Sequence, residues 1–230
     1  MEYRVKVATI LGSLAMLLGA MVTSATAGSF GIGITGMGLA IHTEGEETLK
    51  SNNVKTSATE TSVAGVPSLY MQYTFGDDGF VIGIDVIPGS ASLGEDEAVR
   101  TDKVAINKTH TRHQKASANI KNHRGIYIET PGWGSKATGG FYAMLGASQV
   151  TVETDESLQT GAVYGNQDIN GATIGLGFKG ASDSGILLKA LIEYTNYESV
   201  SLKSTGSDVS STIDADPQTL GLKISFGYNF

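Results

Sequence analysis

The last residues of the chain alternate without a break. Leu220, Leu222, Ile224, Phe226, Tyr228 and Phe230 are apolar or aromatic, and Gly221, Lys223, Ser225, Gly227 and Asn229 between them are small or polar. A period of two marks a strand that shows different surroundings to its two faces. At about 3.3 Å per residue and a tilt of roughly 45°, this segment covers about 25 Å, the thickness of an acyl-chain layer.

The same period recurs upstream. Ile186, Leu188, Ala190, Ile192 and Tyr194 share one face, as do Ala172, Ile174, Leu176 and Phe178, and Phe141, Ala143, Leu145 and Ala147. Phe80, Ile82, Ile84 and Val86 form another set, Leu69, Met71, Tyr73 and Phe75 another, and a weaker strand surrounds Ile126 and Ile128. Phe30, Ile32 and Ile34 alternate before the apolar phase moves to Met37, Leu39 and Ile41, which predicts a β-bulge near Thr35 and Gly36. The pattern predicts about eight strands.

The connections between them alternate in length. Gly76 to Gly79, Pro131 to Gly139 and Gly180 to Gly185 are short, whereas Thr43 to Pro67, Pro88 to Asn119, Val150 to Asn170 and Asn196 to Pro217 are long and rich in Ser, Thr, Asn, Asp and Glu. A chain crossing back and forth through a bilayer has this rhythm, and both of its ends fall on the short-turn side. The long stretches read as solvated, flexible loops.

Alternation alone also describes a half-buried soluble sheet or a soluble barrel, so the second face must decide. It is mostly Gly, Ser, Thr and Gln, where strands facing water carry abundant Lys and Glu. Its charges are Asp85, Glu129, Lys189, Glu193 and Lys223, and the apolar face of the same strands has none. That asymmetry fits a lipid-facing exterior and a narrow, filled interior in which Gly175, Gly177 and Gly227 relieve crowding. The predicted fold class is therefore all-β, a closed antiparallel transmembrane barrel of about eight strands with short turns on one side and long loops on the other.

The first residues change the picture of location. Arg4 and Lys6 precede an apolar run from Val7 to Val22, followed by Ser24-Ala25-Thr26-Ala27-Gly28. This is the layout of a secretory signal peptide with cleavage after Ala27, and the run is shorter than the roughly 20 residues a membrane helix needs. Residues 1–27 are thus expected to be a cleaved, Sec-type signal peptide and residues 28–230 the barrel.

Composition narrows the chemistry. A net charge of −7 disfavours a surface that tracks phosphate backbones, so nucleic acid is not an expected partner. No cysteine means no disulfide, thiolate metal site or cysteine nucleophile. Gly31-Ile32-Gly33-Ile34-Thr35-Gly36 matches a dinucleotide fingerprint by letter but lies in alternating sequence with no helix to follow. His110 and His113, beside Arg112 and Lys115, lack a third ordered ligand, and neither a metal nor a cofactor is expected. Asn107-Lys108-Thr109 fits a glycosylation sequon by letter alone and carries no weight. His42 and His123 near strand ends raise a hydrolase using Ser, His and a carboxylate, yet neither has a Ser and an acid at a strand spacing that builds a triad, and the chain is read as non-catalytic. The interior charges either line a pore or pair and plug it, and opposite signs in a narrow lumen favour pairing.

With its terminal Phe230 and with Tyr228 two residues earlier on an alternating last strand, the chain resembles the small outer-membrane barrels of the OmpX, OmpA-transmembrane-domain and Opacity-protein type. The resemblance covers residues 28–230 as architecture and the final strand residue by residue. It implies an outer-membrane location in a Gram-negative bacterium with short periplasmic turns and long extracellular loops, contact with outer-membrane lipid and lipopolysaccharide, and recognition of the Tyr228 and Phe230 strand by the barrel assembly machinery. The expected function is a structural or surface protein whose loops meet a partner that the sequence does not specify; the alternative is a narrow, porin-like channel for ions or small solutes.

Overall fold

The computed structural model describes residues 28–49, 53–76, 79–105, 108–135, 139–158, 163–205 and 211–230, with the side chains of 49, 54, 91, 93–105, 108–116, 135 and 155–158 excepted. The leader read at residues 1–27 lies outside the described residues, as does Asn107 of the sequon.

The strands are β1 (Ser29–Leu49), β2 (Val54–Thr74), β3 (Val81–Val86), β4 (Ser90–Ala105), β5 (Lys108–Glu129), β6 (Trp133–Ser135), β7 (Gly139–Leu158), β8 (Gln167–Ala181), β9 (Ile186–Tyr197), β10 (Val200–Lys203) and β11 (Ser211–Asn229). Every pairing is antiparallel, and the sheet closes on itself as eight strands in a ring, running β1-β2-β3-β5-β7-β8-β9-β11 and back to β1. β4 extends the wall beyond β3, β6 extends it beside the start of β7, and β10 pairs with β11. Closure satisfies the backbone of each wall strand within the sheet, as hydrocarbon surroundings require.

The two ends of the described chain meet. Phe30 N donates to Phe230 O at 3.1 Å, Phe230 N donates to Phe30 O at 2.8 Å, and Asn229 N donates to Gly185 O at 2.8 Å in the short β8–β9 turn. Both ends therefore sit on the short-turn side. In that turn Gly185 has φ of 89°, a left-handed conformation that glycine accepts without strain.

The outer face is an apolar band. Ile32, Ile34, Leu145, Ile174, Leu176, Leu188, Ile192, Leu222, Ile224 and Phe226 all point away from the lumen and are about half exposed or more. An uninterrupted belt of this kind far exceeds what a soluble monomer leaves in water. The opposite parity is buried: in β9 Leu187, Lys189, Leu191, Glu193 and Thr195 alternate inward with the exposed Ile186, Leu188, Ile192 and Tyr194.

Two sequence expectations are corrected. There is no bulge at Thr35 and Gly36, because β1 keeps an unbroken register with both neighbours, Thr35 facing Ser68 and Ser225 and Gly36 facing Pro67 and Ile224. The apolar phase moves because Met37, Leu39 and Ile41 turn into the lumen, where they pack with Val66, Ala64 and Ile87. The lumen is therefore not uniformly polar. The register slip falls instead in β5 between Lys121 and Arg124, where Asn122 adopts φ of 55°, a left-handed value that Asn tolerates better than most residues.

The long polar stretches are also not free loops. Thr43 to Leu49 pairs residue by residue with Val54 to Glu60, and β4 pairs with β5 from Ser90 opposite Lys121 to Ala105 opposite Lys108. Backbone hydrogen bonding thus continues past the apolar band as β-hairpins. A second apolar cluster of Val150, Val152, Ile169, Val200 and Leu202, backed by Tyr164, Tyr197 and Ala215, ties β7, β8, β10 and β11 together there.

Inward glycines make room for inward tyrosines. A Cβ built on Gly83 would overlap the Tyr127 ring, one on Gly177 the Tyr142 ring, and one on Gly227 the Tyr70 hydroxyl, whereas a Cβ on the outward Gly36 meets nothing within 4 Å. Gly227→Val is accordingly expected to destabilise the barrel by about 1–3 kcal/mol through overpacking. Gly36→Val should leave the urea midpoint of the detergent-solubilised protein within the spread expected of surface changes.

Candidate functional site

The most concentrated chemistry among the described residues is inside the barrel. Period two places Gln72 and Tyr70 of β2, Tyr127 and Glu129 of β5, Tyr142 of β7, Lys179 of β8 and Lys189 of β9 on inward parity, and ring closure brings them to one layer. Lys189 Nζ donates to Glu129 Oε1 at 2.7 Å and to Gln72 Oε1 at 2.8 Å, while Lys179 Nζ donates to Glu129 Oε2 at 3.1 Å. Glu129, only 2% exposed, thus gives each carboxylate oxygen to a different ammonium. The Lys189 ammonium also stands 4.6 Å from the Tyr70 ring centre and 5.3 Å from that of Tyr127, and Lys179 stands 4.9 Å from that of Tyr142. Cation–π attraction gains strength away from water, so the rings support both charges.

A second group lies further along the lumen. Lys223 Nζ is 2.9 Å from Glu193 Oε2 and 3.6 Å from Asp85 Oδ2, and His123 Nδ1 is 3.9 Å from the same Asp85 oxygen. These side chains line a cavity of about 50 Å³, together with Thr173, Met144 and others. At about 10–15 Å³ each, that volume holds only a few water molecules. Hydroxyl pairs fill other inward rungs, Thr35 with Ser225 at 2.8 Å and Thr173 with Thr195 at 2.8 Å.

Asp85, Glu129, Lys189, Glu193 and Lys223 therefore all lie in the lumen, divided between two clusters: Glu129 with Lys189, and Asp85 with Glu193 and Lys223. Sequence reasoning missed Lys179, whose signal was present, since it continues the inward parity of Gly175 and Gly177 just past Phe178. It also missed the inward tyrosines, which a rule equating apolar with outward assigns to the wrong face.

The histidines considered for catalysis do not converge. His42 shares its Nδ1 with Thr61 Oγ1 at 3.0 Å and has Glu44 at 3.6 Å on the exposed end of β1, whereas His123 faces Asp85 inside. His110 and His113 fall in β5, in the stretch whose side chains are not described, and among the described residues no group of three or more acidic or histidine side chains is placed to hold a metal ion. Tyr228 and Phe230 point outward, 50% and 68% exposed, at the edge where β11 closes on β1.

The hairpins carry local pairs. Lys55 donates to Glu46 at 2.6 Å, and that hydrogen bond and charge hold the ammonium's pKa above its ordinary value. Lys121 pairs with Glu153 across the β5–β7 ladder, and Tyr164 meets Ser211 between hairpins.

No protein-family model and no curated protein matches the chain. Solved structures do. The outer membrane protein OprG of Pseudomonas aeruginosa is 14% identical, with 89% of this chain and 97% of that one covered at a TM-score of 0.59. The outer membrane protease OmpT of Escherichia coli is 6% identical, with 88% and 97% covered at a TM-score of 0.51. At such identities the likeness establishes the fold, an antiparallel barrel of the kind found among outer-membrane proteins.

Proposed function

We propose that this chain is a non-catalytic barrel of the Gram-negative outer membrane, closed to ion flow, whose working surface is the set of β-hairpins that rise beyond the lipid. The carrying observation is the Lys189–Glu129–Lys179 network. A conducting pore needs water and mobile counter-charges along its axis, and here, among the described residues, the lumenal carboxylates Asp85, Glu129 and Glu193 each lie against a lysine, with tyrosine rings packed on the two lysines of Glu129. Buried charges in such pairs resist separation, because stripping one partner leaves the other desolvated. The apolar belt supports the membrane location, the leader sequence supports export, and the outward Tyr228 and Phe230 on β11 suit recognition by the assembly machinery. The extracellular partner is to be sought among ligands of ordered sheet rims rather than of flexible loops.

In planar bilayers the reconstituted protein should show no steady unit currents. Currents of fixed size that disappear in Lys189→Ala or Lys223→Ala would defeat the closed-barrel reading and favour the narrow channel. On gels, the unboiled protein should migrate apart from the boiled sample, because a closed sheet stays folded in detergent until heated.

A further inference from the structure

The outward apolar run ends on a polar residue strand by strand: Arg124 on β5, Gln149 on β7, Asn170 on β8, Asn196 on β9 and Gln218 on β11. Arg124 is the fixed positive charge of this row. An arginine at the edge of a hydrocarbon layer needs partners, and Arg124 has a particular set. Its Nε donates to Gln149 Oε1 at 3.0 Å and its Nη2 donates to the same oxygen. Gln149 Nε2 in turn donates to Asn170 Oδ1 at 3.3 Å, and Asn170 donates through Nδ2 and its backbone N to Glu198 Oε2 at 2.8 and 3.0 Å.

This relay orients the guanidinium without neutralising it. Two amide side chains stand between Arg124 and Glu198, and among the described residues no carboxylate lies within ion-pair distance of Arg124. The nearby acids have other partners: Glu153 is paired with Lys121, and Asp168 accepts from Thr151 at 2.7 Å. Two of the five N–H donors of the guanidinium are spent on Gln149, which leaves a donor edge of fixed direction.

Beside Arg124 the outer wall is dented by an open groove of about 320 Å³ between β5 and β7. Its cause is local: β5 and β7 stay in register there, Arg124 opposite Gln149 and Ile126 opposite Ala147, and the small side chain of Ala147 on the outward parity fills little of the space between its larger neighbours. The groove is polar at one end, through Arg124, Gln149 and Asn170, and apolar at the other, through Ile126 and Ala147, where it runs into the lipid-facing band.

We propose that this groove binds a phosphorylated lipid of the surrounding leaflet, its phosphate on the Arg124 guanidinium and an acyl chain along Ile126 and Ala147. A preoriented guanidinium edge matches phosphate oxygens in geometry and charge, and the polar-to-apolar order of the groove matches the order of headgroup and chain. The inference rests on the reading of the chain as a membrane barrel, and the test separates the two.

The protein is reconstituted in phosphatidylcholine nanodiscs doped with bis-phosphorylated lipid A or with its dephosphorylated form, and lipid retained on the released protein is read by native mass spectrometry. Wild type should retain the phosphorylated form and not the dephosphorylated one. Arg124→Gln should reduce retention by about tenfold, the scale of one lost charge-assisted contact. Ala147→Leu, which fills the dent and keeps the arginine, should reduce it as well. Equal retention by wild type and both variants, retention of the dephosphorylated lipid, or displacement by inorganic phosphate at matched concentration overturns the site. Unboiled gels of the same samples assign the failure: barrels that shift on heating but hold no lipid sink only the groove, whereas wild type that neither inserts nor shifts sinks the membrane reading beneath it.

Discussion

Glu129→Ala should lower the unfolding free energy of the barrel by about 3–5 kcal/mol, the cost of breaking a buried ion pair on one side. The reason is the company Glu129 keeps. It is the one carboxylate in contact with Lys189 and Lys179 among the described residues, and its removal leaves two ammonium groups facing each other across a lumen lined by Tyr70, Tyr127 and Tyr142. Gln72 can still accept from Lys189, so the loss is not that of a bare charge. Urea unfolding in detergent micelles, followed by the fraction that keeps folded mobility on a gel, measures the effect. A triple variant, Glu129→Gln with Lys179→Met and Lys189→Met, should recover much of the loss, because a neutral trio of similar volume leaves neither lysine orphaned. A loss in Glu129→Gln alone that matches the loss in Glu129→Ala, with recovery in the triple variant, would show that the single change acts through charge rather than through a cavity.

The second large effect belongs to the outer face. Leu176→Arg, at a position 68% exposed in the row with Ile192 and Leu222, should destabilise the inserted barrel by about 2–4 kcal/mol, the cost of a basic side chain near the bilayer midplane. Val63→Arg is the matched control. Val63 is 82% exposed and stands next to Thr61, where the outward face of β2 becomes polar, so the cost there should fall to about 0–1 kcal/mol. A soluble barrel would invert this order, since charge at an exposed leucine would improve its contact with water. Refolding yield into phosphatidylcholine vesicles across a urea series distinguishes the two patterns.

The parts of the fold legible in the sequence are those where a single strand carries its own signal. Leu220 to Phe230 and Ile186 to Tyr194 show lipid on one side and lumen on the other, so alternation alone assigns their faces. The paired stretch of Thr43 to Thr48 and Lys55 to Glu60 shows no such contrast, because above the band both faces meet water. Its Thr and Ser residues suit a strand as well as a loop, and only the register, with Glu46 reaching Lys55, reveals the hairpin. Met37, Leu39 and Ile41 misled for the opposite reason. They are apolar residues turned inward, opposite Gly36 and Gly38 turned outward, so the usual contrast is reversed on an unbroken strand.

The lumenal charges show the same division. Parity along one strand is enough to turn Asp85, Glu129, Lys189, Glu193 and Lys223 inward, but which acid meets which base depends on how strands distant in sequence are staggered around the ring. Lys189 and Glu129 are separated by 60 residues. The Arg124 relay was hidden for a related reason: its partners Gln149 and Asn170 lie on two further strands, and Arg124 itself stands beside a register slip that a search for alternation passes over.

The central claim, that alternate residues of each wall strand meet acyl chains and a sealed interior, can be read directly along β9. The chain has no native cysteine, so single cysteines at successive positions from 186 to 194 can each carry a nitroxide without background. In phosphatidylcholine vesicles, collision with lipid-soluble oxygen should be strong at 186, 188, 190, 192 and 194 and weak at 187, 189, 191 and 193. A water-soluble nickel chelate should reach neither set in the middle of the strand. Oxygen access without a period of two, or chelate access at 188 and 192, would contradict the account.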